Sequence, residues 1–122
     1  MDELLDRLTA ACGITRPVAE KSVEIILDFL RKEAPADKVQ ALMDKMPGAE
    51  GLAAAAAAEP GSGGMFGMGG IMGAANRLMA AGLSMGQVQS VTREVVAYTR
   101  EKAGEDAVGE VVGAIPGLSQ FV

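Results

Sequence analysis

Residues 13–49 read GITRPVAEKSVEIILDFLRKEAPADKVQALMDKMPGA, and residues 82–118 read GLSMGQVQSVTREVVAYTREKAGEDAVGEVVGAIPGL. The two stretches align without a gap at a constant offset of 69 residues, the distance from Gly13 to Gly82. The seven identities are Gly13/Gly82, Arg31/Arg100, Ala34/Ala103, Asp37/Asp106, Val39/Val108, Pro47/Pro116 and Gly48/Gly117. Eight further pairs keep size and polarity, namely Ile14/Leu83, Thr15/Ser84, Ile26/Val95, Leu27/Val96, Phe29/Tyr98, Leu42/Val111, Met43/Val112 and Met46/Ile115. The alignment predicts one structural unit that is used twice.

Each copy has the spacing of a long helix followed by a short one, because apolar residues recur every three or four positions. In the first copy, Thr15 is a predicted N-cap for a helix that runs to about Glu33. Asp37 then lies in the first turn of a shorter helix, which the Pro47-Gly48 pair ends.

The second copy repeats this order of signals. Ser84 and Gln87 have the spacing of a capping box, heading a helix to about Lys102. Gly104 is expected to break the chain, and Asp106 heads a short helix that precedes Pro116 and Gly117.

Two further helices complete the prediction. Residues 2–12 place their leucines on one face and end at Gly13. Residues 51–81 are rich in Gly, Ala and Met; within them 51–64 is expected to be mobile and 65–81 to form a helix. The predicted fold class is therefore all-α, with two pseudo-symmetric repeats about a pseudo-twofold axis. We expect a single domain over 1–122, with repeat one at 13–50, the connector at 51–81 and repeat two at 82–118.

The composition argues against several classes of partner. The chain has a net charge of −5, no cluster of Lys and Arg, and 3% aromatic residues. Nucleic-acid binding is not expected, because it needs Lys and Arg side chains to neutralise the phosphates. Docking on anionic lipid needs the same cationic side chains and is not expected either. No apolar run approaches the ~20 residues of a membrane span. An acidic start unlike a signal peptide and a single cysteine favour a cytoplasmic location.

The residue types also argue against catalysis. The chain has no histidine, which removes the commonest general base and metal ligand. Glu20, Glu24 and Asp28 share a helix face that is interpreted as a solvated face, with a partner-facing strip or a cation site as alternatives. Cys12 is interpreted as a packing residue. No catalytic, cofactor-binding or metal-binding residue is predicted, and the glycine-rich stretches lack the Lys-Ser/Thr of a phosphate loop.

The methionines of the connector are the candidate interaction surface. Met65, Met68, Met72 and Met79 are spaced three, four and seven apart, which places them along one helical face beside Phe66. One interpretation is that they fill an irregular core between the repeats. The others are an adaptable apolar groove for a partner helix or for self-association, and a copper(I) site of thioethers.

One run of residues carries a resemblance to a known family. Pro-Gly-Ala-Glu-Gly-Leu at positions 47–52 follows Ile14-Thr15 with its long helix and Asp37 with Leu42, and precedes a Gly/Ala/Met-rich stretch and a second helical copy. Over about residues 13–122 the chain resembles the bacterial VcgC/VcgE-type domain of unknown function. The resemblance implies a small all-helical bacterial domain, and it brings no activity or site residues with it.

These observations favour a non-enzymatic helical module for protein–protein interaction or self-assembly. The alternative is a peripheral membrane or apolar-ligand binding protein that uses residues 65–81, although Arg77 is the only basic residue there. An enzyme ranks third, since it would need carboxylates that converge only in the folded chain.

Overall fold

The computed structural model describes residues 2–46, 48, 51–52 and 70–115, with the side chains of all of these except Ala36 and residues 70–72. The prediction of an all-α fold is confirmed: the described residues form six long stretches of α-helix and no strand. The helices are α1 (Asp2–Cys12), α2 (Arg16–Glu33), α3 (Ala36–Asp44), α4 (Gly70–Ala80), α5 (Met85–Ala103) and α6 (Glu105–Ala114).

Local signals in the sequence account for most of these bounds. Gly13 ends α1 with a φ of 67°, a left-handed conformation that favours glycine. Thr15 is the N-cap residue of α2, as predicted, but its side chain makes no capping hydrogen bond. Pro35 separates α2 from α3 and lies at the N-cap position of α3, where its missing N–H costs nothing.

The predicted capping box at the start of α5 is confirmed. The Gln87 backbone N–H donates to Ser84 Oγ at 3.3 Å, and the Ser84 backbone N–H donates to Gln87 Oε1 at 2.9 Å. Gln87 Nε2 also donates to the Cys12 carbonyl oxygen at 3.2 Å. This hydrogen bond satisfies a backbone carbonyl at the end of α1, where carbonyls have no partner within the helix. Gly104 breaks the chain between α5 and α6 with a φ of 95°.

The helix bounds of the two halves of the chain correspond. α5 begins 69 residues after α2, and α6 begins 69 residues after α3. The correspondence extends to α1 and α4, whose burial matches at an offset of 70 in the pairs Leu5/Ala75, Arg7/Arg77, Leu8/Leu78 and Ala10/Ala80. The duplicated unit itself stays a prediction, with which these bounds agree.

The halves pack across each other. The most extensive contact of α1 is with α5, in the other half, and that of α4 is with α2. The core is one aliphatic cluster that draws on every helix, and the Thr99 hydroxyl lies 3.4 Å from the Met46 sulfur inside it. The apolar spacing of the short helices predicts eight inward residues. Seven of them are buried, namely Val39, Leu42, Met43, Met46, Val108, Val111 and Ile115, and the eighth, Val112, is half-buried against the core. Each of the seven buried side chains contributes about 1.5–3 kcal/mol by burial.

Candidate functional site

A buried carboxylate joins α2 to α4. Asp28 Oδ2 lies 2.9 Å from Arg77 Nη1 and 2.9 Å from Lys32 Nζ, and the Asp28 side chain is only 3% exposed. The interpretation of Glu20, Glu24 and Asp28 as one solvated face is therefore wrong for Asp28, although Glu20 is exposed. The reason is tertiary, because α4 packs on this side of α2 and brings Arg77 to it. Two cations already pair with this carboxylate, which makes it a structural element.

The other half has a looser counterpart of this ion pair. Arg7 on α1 lies 2.6 Å from a Glu101 oxygen and 3.4 Å from a Glu94 oxygen, both on α5. The guanidinium also lies 5.9 Å from the centroid of the buried Tyr98 ring, within cation–π range. Arg7 and Arg77 occupy matching positions, and each reaches an acid on the long helix of the opposite half.

Cys12 is half-buried and packs against the core, in agreement with its interpretation as a packing residue. Burial raises the pKa of the Cys12 thiol, and the Glu94 carboxylate adds to the increase. A raised pKa lowers the thiolate fraction, so the environment disfavours a nucleophilic role. Across the described residues, no three Cys, Asp or Glu side chains are grouped as a metal ion would require.

The predicted methionine surface is only partly within the described residues. Met65, Phe66 and Met68 lie outside them, as do residues 53–64 of the stretch that is expected to be mobile. The expectation is wrong for the start of that stretch, because Gly51 and Leu52 are helical and Leu52 packs against the core. Met72 belongs to α4, and its side chain is not described. Met79 is half-buried and packs against the core cluster, which is the position that the core-filling interpretation expects for it.

Another methionine, outside the predicted methionine surface, is exposed just after the Met/Gly-rich segment in the chain. Met85, the first residue of α5, is 49% exposed and is the large hydrophobic side chain found exposed among the described residues. It follows the turn between α4 and α5, where Ala80, Gly82, Ser84 and Gly86 are also exposed. We call these five residues the neutral corner, because none of them carries a charge.

The surroundings of the neutral corner are also poor in charge. Between residues 60 and 92 the sequence has one charged residue, Arg77, and its guanidinium is paired with Asp28. One turn from the corner along each helix, the exposed side chains are Asn76 on α4 and Gln89 on α5, both neutral amides. The corner is thus an exposed apolar side chain within an uncharged stretch of sequence, on a chain with a net charge of −5.

A signal for this surface is present in the sequence. The methionine at position 85 aligns with Arg16, so the alignment of the two copies exchanges a cation for an apolar residue at the start of a long helix. Comparing the charge of aligned positions would have identified it, whereas helical periodicity within 65–81 does not include position 85.

Comparisons with protein-family models, with curated proteins and with solved structures found no match for this chain. In the described part of the chain, no helix has both the length and the apolar character that crossing a membrane requires.

Proposed function

We propose that this chain is a non-enzymatic helical module for protein–protein interaction or self-assembly. Its contact surface is the neutral corner together with the neighbouring Met/Gly-rich segment that includes Met72. The observation that carries the proposal is the half-exposed side chain of Met85 within a stretch of sequence that has few charges. Exposed apolar surface marks a contact site when it forms a contiguous patch, so Met85 supports the proposal as part of the Met/Gly-rich segment, and methionine adapts its shape to different partners.

The chemistry of the chain supports a non-enzymatic role. Histidine is absent from the whole sequence, and the one cysteine has its thiol pKa raised by burial. The most deeply buried carboxylate, Asp28, is held by Arg77 and Lys32. A general base must come within reach of a substrate, and the Asp28 side chain is only 3% exposed.

Origin and location are part of the same proposal. A cytoplasmic location is supported by the single cysteine. One cysteine forms no disulfide within the chain, and disulfides are rare in a reducing compartment. Membership of the bacterial VcgC/VcgE-type family is supported by the Pro-Gly-Ala-Glu-Gly-Leu run at positions 47–52 and the helical order around it.

Oxidation footprinting of Met85 tests the proposal. A brief peroxide pulse converts exposed methionine to its sulfoxide, and mass spectrometry reads the extent at each position. In the dilute purified chain we expect fast oxidation of Met85 and slow oxidation of the buried Met46. In the native cells we expect Met85 to become several-fold slower while Met46 stays unchanged. Equal oxidation of Met85 in both settings would contradict the proposal.

The alternative of a membrane or apolar-ligand surface is tested separately. Flotation of the purified chain with vesicles of phosphatidylcholine and phosphatidylglycerol is expected to leave it in the bottom fraction. Recovery with the vesicles, lost in the Met85→Glu variant, would replace the protein-interaction proposal by the membrane alternative.

A further inference from the structure

The helices α1 and α4 take equivalent places in the two halves, but α4 is held on its neighbour by smaller side chains. Each of the two packs most extensively on the long helix of the other half. Two buried leucines of α1 correspond to alanines in α4, in the matched pairs Leu4/Ala74 and Leu5/Ala75. A leucine removes more apolar surface from water than an alanine does, and this burial is what holds a helix in place. At these positions α4 is therefore held less firmly than α1.

The helix α4 is also the weaker of the two by its local sequence. It contains Gly70 and Gly73, and glycine is among the poorest helix-forming residues. The first turn of α1 carries Asp2 and Glu3, which interact favourably with the helix dipole, whereas the first turn of α4 carries no acid. Local structure thus contributes less to the stability of α4.

The feature that α4 does have is the contact of Arg77 with the buried Asp28 carboxylate. A carboxylate loses its water at low cost only where cations and hydrogen-bond donors replace that water. Lys32 belongs to α2 itself, four residues after Asp28, so it stays near the carboxylate whether or not α4 is docked. Arg77 is the cation that α4 brings. Docking of α4 and pairing of Asp28 with Arg77 therefore occur together.

From these contrasts we infer that α4 is a strap, a helix that detaches from α2 while the other described helices stay folded. Asp28 makes the closure of this strap conditional on Arg77, because closing it buries the carboxylate. The inference rests on the packing alone and does not depend on the proposed function. Opening would nevertheless rearrange the proposed contact surface, since Met72 and Ala80 both belong to α4.

The cost of opening is small for a physical reason. When α4 detaches, the Asp28 carboxylate returns to water and keeps Lys32 beside it. This hydration offsets the lost contact with Arg77, because a buried ion pair contributes little net stability. The buried apolar side chains of α4 include Ala75 and Leu78, whereas α1 would expose three leucines. Segments that bury little apolar surface open at a lower free energy than the whole fold does.

The experiment is native-state hydrogen exchange of the full chain, read by mass spectrometry on peptides from α1, α4 and α5 over a series of low urea concentrations. After correction for intrinsic rates, we expect the amides of α4 to exchange at least about a hundredfold faster than those of α5. Their exchange should also depend less steeply on urea, since detaching one helix exposes less surface than unfolding the whole chain does.

Variants test the role of the ion pair in the strap. Arg77→Met should accelerate exchange in α4 at least about tenfold, because the closed strap then buries a carboxylate without its partner. Arg7→Met is the matched control and should leave α4 unchanged, since the contacts of Arg7 with Glu94 and Glu101 persist when α4 opens. Arg77→Lys should retain most of the protection. Asp28→Leu combined with Arg77→Met should restore it, because no carboxylate is left to bury.

A second control separates detachment of α4 from unfolding of the whole chain. Gly104 lies between α5 and α6 with a φ of 95°, so Gly104→Ala should accelerate exchange in α5 and leave α4 unchanged. Acceleration of both helices to the same extent would overturn the inference. So would exchange of α4 with the rate and urea dependence of α5 in the wild type, or equal effects of Arg77→Met and Arg7→Met on α4. None of these results bears on the oxidation of Met85, so the proposed function is tested separately.

Discussion

Arg77 Nη1 and Asp28 Oδ2 lie 2.9 Å apart, although 49 residues separate them in the chain. The pair joins the Met/Gly-rich helix α4 to the central helix α2, and the Asp28 carboxylate has almost no exposure. Its counterpart, Arg7 with Glu94 and Glu101, joins α1 to α5 with acids that are far more exposed. The two arginines therefore join equivalent pairs of helices, Arg77 through a buried acid and Arg7 through partly exposed acids.

Arg77→Ala should destabilise the fold by about 2 kcal/mol, since it leaves the buried Asp28 carboxylate with only the half-exposed Lys32 as a cation within ion-pair distance among the described residues. Arg7→Ala is the matched control and should cost less than about 1 kcal/mol, because solvent screens its acids. Urea unfolding monitored by circular dichroism measures both. The double variant Asp28→Leu with Arg77→Met should recover most of the loss, because it removes both charges together. An Arg77→Ala loss no larger than that of Arg7→Ala would contradict this account.

Ser84→Ala should cost about 1 kcal/mol of unfolding free energy, because it removes the hydroxyl that accepts from the Gln87 backbone N–H. Thr15→Ala at the equivalent N-cap of α2 should cost less than about 0.5 kcal/mol, since Thr15 makes no side-chain capping bond. Urea unfolding of the two variants beside the wild type compares the costs. Equal costs would mean that the capping box of α5 contributes nothing specific.

Two glycines of the second half should respond oppositely to alanine. Gly104 has a φ of 95°, so Gly104→Ala should destabilise by about 1–2 kcal/mol through backbone strain. Gly109 lies in α6, and an added Cβ there meets nothing within 4 Å. Gly109→Ala should therefore stabilise by about 0.5–1 kcal/mol. Thermal unfolding of the two variants beside the wild type gives both signs, and a stabilising Gly104→Ala would exclude the strained conformation.

Cys12 should react slowly with iodoacetamide near pH 8, because its raised pKa leaves less thiolate in the folded chain than in the unfolded one. A thiol with a raised folded pKa favours folding below the unfolded pKa. That contribution is lost as the pH rises through the unfolded pKa toward the folded one. The measurement is the alkylation rate against pH, with and without urea. The midpoint should lie higher in the folded chain, and coincident midpoints would contradict the prediction.

Glu94→Gln should lower the folded midpoint of Cys12 only slightly, since burial is the larger cause of its raised pKa. A shift that brought the folded midpoint down to the unfolded value would instead assign the effect to the Glu94 carboxylate.

The sequence by itself determined that the described chain is helical and where most of its helices end. Spacing of apolar residues at three and four, the glycine at position 13, the Ser84–Gln87 pair and the break at Gly104 act over a few residues, so they can be recognised without knowing the fold. The inward positions of the short helices followed for the same reason. The alignment at an offset of 69 residues also anticipated the matching bounds of α2 with α5 and of α3 with α6.

The tertiary structure decided what each helix face meets. Asp28 looked like one of three solvated acids, and only the packing of α4 on α2 brought Arg77 to it and buried it. Likewise Gln87 forms the capping box with Ser84 within a few residues of sequence, but it reaches the Cys12 carbonyl because α1 packs against α5. Met85 stands at the start of α5, and the packing of the described helices leaves it exposed. Periodicity specifies which residues share a face, whereas burial, ion pairing and exposure depend on the neighbour that the folded chain places there.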